Sequence, residues 1–313
     1  MYLRLMTAAC LAALASLSPA AAASGNGFEA ISATLKTTLA DSGARGDALF
    51  IGNKDSIFYV ETSGKADFGT PVRLAPKSSI AELMLMLSLA DSGFFELDDP
   101  ARKYLSLDKA SPFAKTTIRG LMIARASGGK LADRAAKTLM LVAESATARP
   151  WNSLFEEWIA KPLTLAGTGY PKSTGLSKAM GAREPAPTLS TNVRDYARLL
   201  SVLANGGRQN GIQILSASSA ALVFQPQLIG SGSCARKDES GACTVVEQDV
   251  VGLYAWVDRA RGLYGVLAAS GSEISVAKAG RAIRAQAETI IDRDQAGAGL
   301  TSAIKRKAHS TGR

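Results

Sequence analysis

Lys77, Ser78 and Ser79 bring an amine and two hydroxyls together at the head of an apolar run, Ile80 to Ala90. A serine hydroxyl is a weak nucleophile until a base activates it. The single histidine, His309, lies in the terminal "KRKAHSTGR", which excludes a Ser-His-Asp triad, a Cys-His pair and a His-ligated zinc site. No GxxxxGK[ST] phosphate loop is present. Hydrolase chemistry would therefore have to run without histidine. Lys77 next to Ser78 points a different way on a helix, and Ser78 or Ser79 serves equally as an N-terminal cap. Ser106 with Lys109, and Ser275 with Lys278, have Ser-x-x-Lys spacing but do not head a buried helix. Ser127, before Gly128 and Gly129, reads either as a cleft residue or as turn chemistry.

These residues need a scaffold. Ile80 to Ala90 is apolar nearly all round, broken by Glu82 and Ser88, so it predicts a buried central helix stopped at Gly93. Helical spacing also marks Ala30–Ser42, "TTIRGLMIARA", "AAKTLMLVAESA", "NSLFEEWIAKPL" and Arg281–Asp292. "STNVRDYARLLSVLANGG" predicts a helix with a Ser/Thr cap, ending at Gly206 and Gly207. β-rich runs flank Asn53-Lys54-Asp55 as a hairpin, and "VVGLYAWVDRA" and "GLYGVLAAS" form a late strand pair. Strands at both ends with helices between predict an α+β fold, an antiparallel sheet from both chain ends flanked by helices, with an inserted mostly helical region. The expected layout is a signal peptide over 1–23, one domain over 24–292 (sheet part about 24–75 and 217–292, helical part about 76–216), and a basic, disordered tail over 293–313.

The compartment follows from the N-terminus. One positive charge in Met1–Arg4, an apolar run and then Ala20–Ala23 have the layout of a secretory signal. Cleavage there leaves Cys234 and Cys243 flanking "CARKDESGAC", a pair expected to form a disulfide in the periplasm or outside the cell. No transmembrane segment is expected after cleavage, and no cofactor or metal. The 36 basic and 27 acidic residues give a net charge of +9. Their dispersion argues against nucleic acid as a partner.

In order along the chain, "GDALFIGNKDSIFYVETSGKADFGTPVRLAPKSS", "SGFFELDDPARKYL", "TTIRGLM", "KPLTLAGTGY", "STNVRDYARLLSVLANGGRQNGIQILS" and "VGLYAWVDRARGLYGVL" carry a family likeness. The chain resembles the serine β-lactamase and penicillin-binding superfamily, in its class C, esterase-like branch. The resemblance implies a β-lactamase/transpeptidase-like fold. It also implies a serine acylated by an amide or ester carbonyl, with a lysine one helical turn on as base. A second motif would supply Tyr or Ser, and a strand would supply charge or donors beside the oxyanion.

Counting back from Leu97-Asp98-Asp99-Pro100 places the family's serine at Pro76 and its lysine at Ser79. Proline has no nucleophilic atom, yet a helix's first turn accepts it. The second motif falls either on Leu131-Ala132-Asp133 or on Ser127-Gly128-Gly129, and Glu247-Gln248-Asp249 occupies the third. No catalytic set is intact in this reading; Lys77, Ser78, Ser79 and Ser127 are left as cleft candidates. The expected function is a non-catalytic relative that binds a peptidoglycan fragment or an envelope protein. The alternatives are a serine hydrolase of β-lactamase, D-Ala carboxypeptidase or esterase type using a displaced serine, and a structural interaction domain.

Overall fold

Two apolar runs near the N-terminus and two near the C-terminus meet in one sheet. The computed structural model describes residues 28–40, 44–54, 56–74, 80–107, 111–172, 188–230, 233–250, 252–270 and 273–310, without the side chains of 248–250, 273–274 and 294–310. Helix α1 (Phe28–Ala40) precedes the hairpin β1 (Gly46–Asn53) and β2 (Ile57–Gly64), and β3 (Val72–Arg73) follows. The helical region holds α2 (Ile80–Asp91), α3 (Ile118–Ala126), α4 (Gly129–Thr147) and α5 (Trp151–Phe155), the last running into a π-helical segment, Glu156–Ala160. Next come β4 (Ser190–Thr191), α6 (Val193–Ala204), the short hairpin β5 (Arg208–Gln209) and β6 (Ile212–Gln213), α7 (Ala217–Leu222) and α8 (Pro226–Ile229). The chain closes with β7 (Cys234–Lys237), β8 (Cys243–Val250), β9 (Leu253–Asp258), β10 (Leu263–Ala269) and α9 (Glu273–Ser310).

The main sheet has the order β2-β1-β10-β9-β8-β7. All its pairings are antiparallel, with Leu49 opposite Leu267 where the two chain ends join. This is the expected α+β arrangement. On one face α1 and α9 bury Ile31, Leu35, Leu49, Ile51, Tyr254, Trp256 and Ile283. Gly280 of α9 lies against the Tyr254 ring, where a Cβ would stand 2.2 Å from a ring carbon, so only glycine permits this approach of helix to sheet. The other face packs on the helical region, with α2 at its centre. Every residue from Ile80 to Leu89 is buried, which is why that run is apolar on all sides.

Several local expectations change. The cap of α6 is Asn192, whose side chain accepts from the Asp195 amide; Ser190 and Thr191 instead form β4, paired with β3. The segment between the cysteines, polar in sequence, is strand–turn–strand, and Cys234–Cys243 is a disulfide with Cα atoms 5.2 Å apart. The helix closing the chain continues to Ser310, through residues expected to be a disordered tail. The signal-like segment 1–23 lies outside the described residues. Among the described residues no helix is long and apolar enough to cross a membrane.

Candidate active site

The head of α2 is where the sequence places the chemistry. Pro76, Lys77, Ser78 and Ser79, with the rest of 75–79, lie outside the described residues. Ile80, the first described residue of α2, is buried, and so are Tyr196 and Glu247 beside it. Glu247, on β8, is 5% exposed. Its Oε1 accepts the Ile80 amide N–H at 3.0 Å, and its Oε2 accepts the Tyr196 hydroxyl from α6. A helix N-terminus presents unpaired amides and a partial positive charge. Here an internal carboxylate meets them.

A second acid lies in the first turn of α2 itself. Glu82 pairs with Arg125 of α3 at 3.1 Å, and both are buried. Burial pushes the Glu82 carboxyl above its ordinary range, against the opposing pull of the Arg125 charge. Its other oxygen, Oε1, has no hydrogen-bond partner among the described residues. The pair ties the C-terminal turn of α3 to the first turn of α2. Tyr170 stands nearby, edge-on to the Trp151 and Phe155 rings at 5.7 and 5.2 Å. Burial first, then the Glu82 charge, raise its phenol well above the usual range.

The second-motif candidates contribute little to this centre. Ser127 is exposed, and its hydroxyl donates to the Ala124 carbonyl at 2.7 Å, a turn role at the end of α3. Gly128 and Gly129 follow with φ of 80° and 73°, a backbone that side-chain-bearing residues avoid. Leu131 is 44% exposed and Ala132 is buried in the first turn of α4. Sequence reasoning placed Glu247 at the third motif but missed its contact with the head of α2. It also missed Arg125, Tyr196 and Tyr170. One signal was available: a glutamate inside an otherwise apolar helix requires a buried partner. Among the described residues no group of His, Cys, Asp and Glu is arranged to hold a metal ion.

A central buried helix headed by this polar centre, against an antiparallel sheet built from both chain ends, has a counterpart among known families. The Beta-lactamase family model matches residues 31–288. The chain belongs to the β-lactamase family. Solved structures agree on the fold. A Bacteroides dorei protein assigned as a β-lactamase has a TM-score of 0.70 at 17% identity, covering 85% of this chain and 99% of that one. A penicillin-binding protein homologue from Caulobacter crescentus gives 0.58 at 13% identity, covering 83% of this chain and 98% of that one. The simvastatin synthase of Aspergillus terreus, a mutant form, gives 0.63 at 12% identity, with 84% and 95% covered. No curated protein sequence gives a significant match. At these identities the structural likeness concerns the β-lactamase fold, a serine hydrolase scaffold whose chemistry depends on the residues each member carries.

Proposed function

We propose that this chain is a non-acylating member of the β-lactamase family, exported from the cytoplasm, that binds an envelope component instead of turning over a substrate. The observation that carries this reading is Glu247. Acyl transfer builds negative charge on a carbonyl oxygen beside the nucleophile helix, and it needs donors there. Glu247 brings a carboxylate to that end of α2 and takes up the Ile80 amide itself. A second negative charge would be repelled, and the donor is already engaged. Proline at the family's serine position and serine at its lysine position support the same reading from sequence. The Cys234–Cys243 disulfide fits an oxidising compartment.

The decisive experiment is covalent labelling of the purified mature protein with a fluorescent penicillin and a fluorophosphonate. No labelling is expected with either probe. Labelling that disappears in Ser78→Ala or Ser79→Ala would assign a displaced nucleophile and overturn the proposal. The binding half is measured separately, by titration with soluble peptidoglycan fragments, where saturable and non-covalent binding is expected.

A further inference from the structure

A well-described cleft lies at the opposite end of α2. Asp91 closes that helix, eleven residues and roughly 16 Å of helix rise from Ile80. The cleft has a volume of about 860 Å3, within the usual size of small-molecule sites. Its walls are the end of α2, the π-helical segment, the β5–β6 hairpin and the entry to α7. The π-helical segment is marked by a bond spanning five residues, Lys161 N–H to Glu156 O at 2.8 Å, and such insertions recur at functional sites. This one places Glu157 and Trp158 on the cleft wall. Phe94 braces Trp158 edge-on at 5.6 Å. Pro162, Ile214 and the half-exposed Ile212 add apolar surface.

The charges select among ligands. Asp91 is committed: its carboxylate accepts from the Ser216 amide at 2.7 Å and from the Ser216 and Ser219 hydroxyls at 2.8 and 2.7 Å. Glu157 is paired with Arg149. Arg208 is exposed, and its side chain has no hydrogen bond or ion pair among the described residues. It also borders a more polar depression lined by Asn53, Ser201 and Asn205, so its guanidinium stands at the rim of the cleft. A guanidinium fork is suited to a carboxylate. The two acids that also line the cleft disfavour a ligand carrying several negative charges.

We propose that this cleft binds a small amphiphile bearing one carboxylate. Its apolar body lies against Trp158, Pro162, Ile212 and Ile214, and its carboxylate sits on Arg208. The site is separate from the head of α2 and does not depend on whether the chain acylates.

Trp151 and Trp256 are 2% and 0% exposed, so quenching by a bound ligand reports mainly on Trp158. Mature protein is titrated with octanoate and with N-acetylphenylalanine, using octanol and octylamine as controls. Saturable quenching by a carboxylate is expected, with octylamine much weaker. A preference for octanoate that grows with chain length marks a fatty-acid source; a preference for N-acetylphenylalanine marks a peptide terminus. Arg208→Gln is expected to weaken carboxylate binding about tenfold while leaving octanol binding unchanged. Ile212→Ser, at an exposed hairpin, is expected to weaken both. An unchanged melting temperature verifies that each variant is folded. The proposal is overturned if neither carboxylate saturates, if octylamine binds as well, or if Arg208→Gln binds octanoate like the parent.

Discussion

At Glu247 two buried donors, from Ile80 and Tyr196, converge on one carboxylate. Removing it as Glu247→Ala leaves both donors without an acceptor, for a loss of about 2–4 kcal/mol in urea unfolding. Glu247→Gln keeps an acceptor oxygen and is expected to cost about 1 kcal/mol. Arg125 makes a sharper case. Arg125→Met strands Glu82 in the core and is expected to cost about 3–5 kcal/mol, while Glu82→Leu combined with Arg125→Met recovers most of that loss. Asp99 reports on pH. Its carboxyl is held down to about 2 by the Tyr104 hydroxyl, then the Glu96 amide and Lys103. An acid lowered in the folded state stabilises it above the unfolded value of about 4. That contribution fades as pH falls toward about 2. Carboxyl NMR is expected to follow this titration, and Tyr104→Phe to move it upward. Of these residues, Glu82 was visible as a break in an apolar run. Arg125 was not, because its partner lies 43 positions away and only tertiary packing brings them together.

The hairpin of β7 and β8 is the element most exposed to chemical change. The Cys234–Cys243 bridge closes it with a sequence separation of 9, and Glu247 lies on the same strand just beyond the bridge. Replacing both cysteines by serine is expected to cost about 2–3 kcal/mol by loop-closure arithmetic, read as a lower urea midpoint. The bridge was legible from spacing, but the strands beside it were not. "CARKDESGAC" is polar enough to read as loop, and it pairs because Val245 and Val246 lie buried against β9. The α6 cap shows the same limit. Three consecutive capping residues, Ser190, Thr191 and Asn192, offer three possible starts, and pairing with β3 withdraws the first two.

At the scale of the whole molecule, periodicity and the order of the family-like segments were enough to give an antiparallel sheet made from both chain ends. The site was less legible, since a buried polar network is specified by which elements touch, and spacing within one element does not reveal that. The same sheet also orders events in time. β1 lies between β2 and β10, so its inner neighbour is among the last strands to be made. Until residues 263–269 emerge, Leu49 and Ile51 face no strand on that side. Closure therefore waits on a contact between distant parts of the chain, the kind that slows folding. A chain halted before β10 would hold its first hairpin with an open, apolar edge, and assembly of the sheet is committed only once β10 has been made.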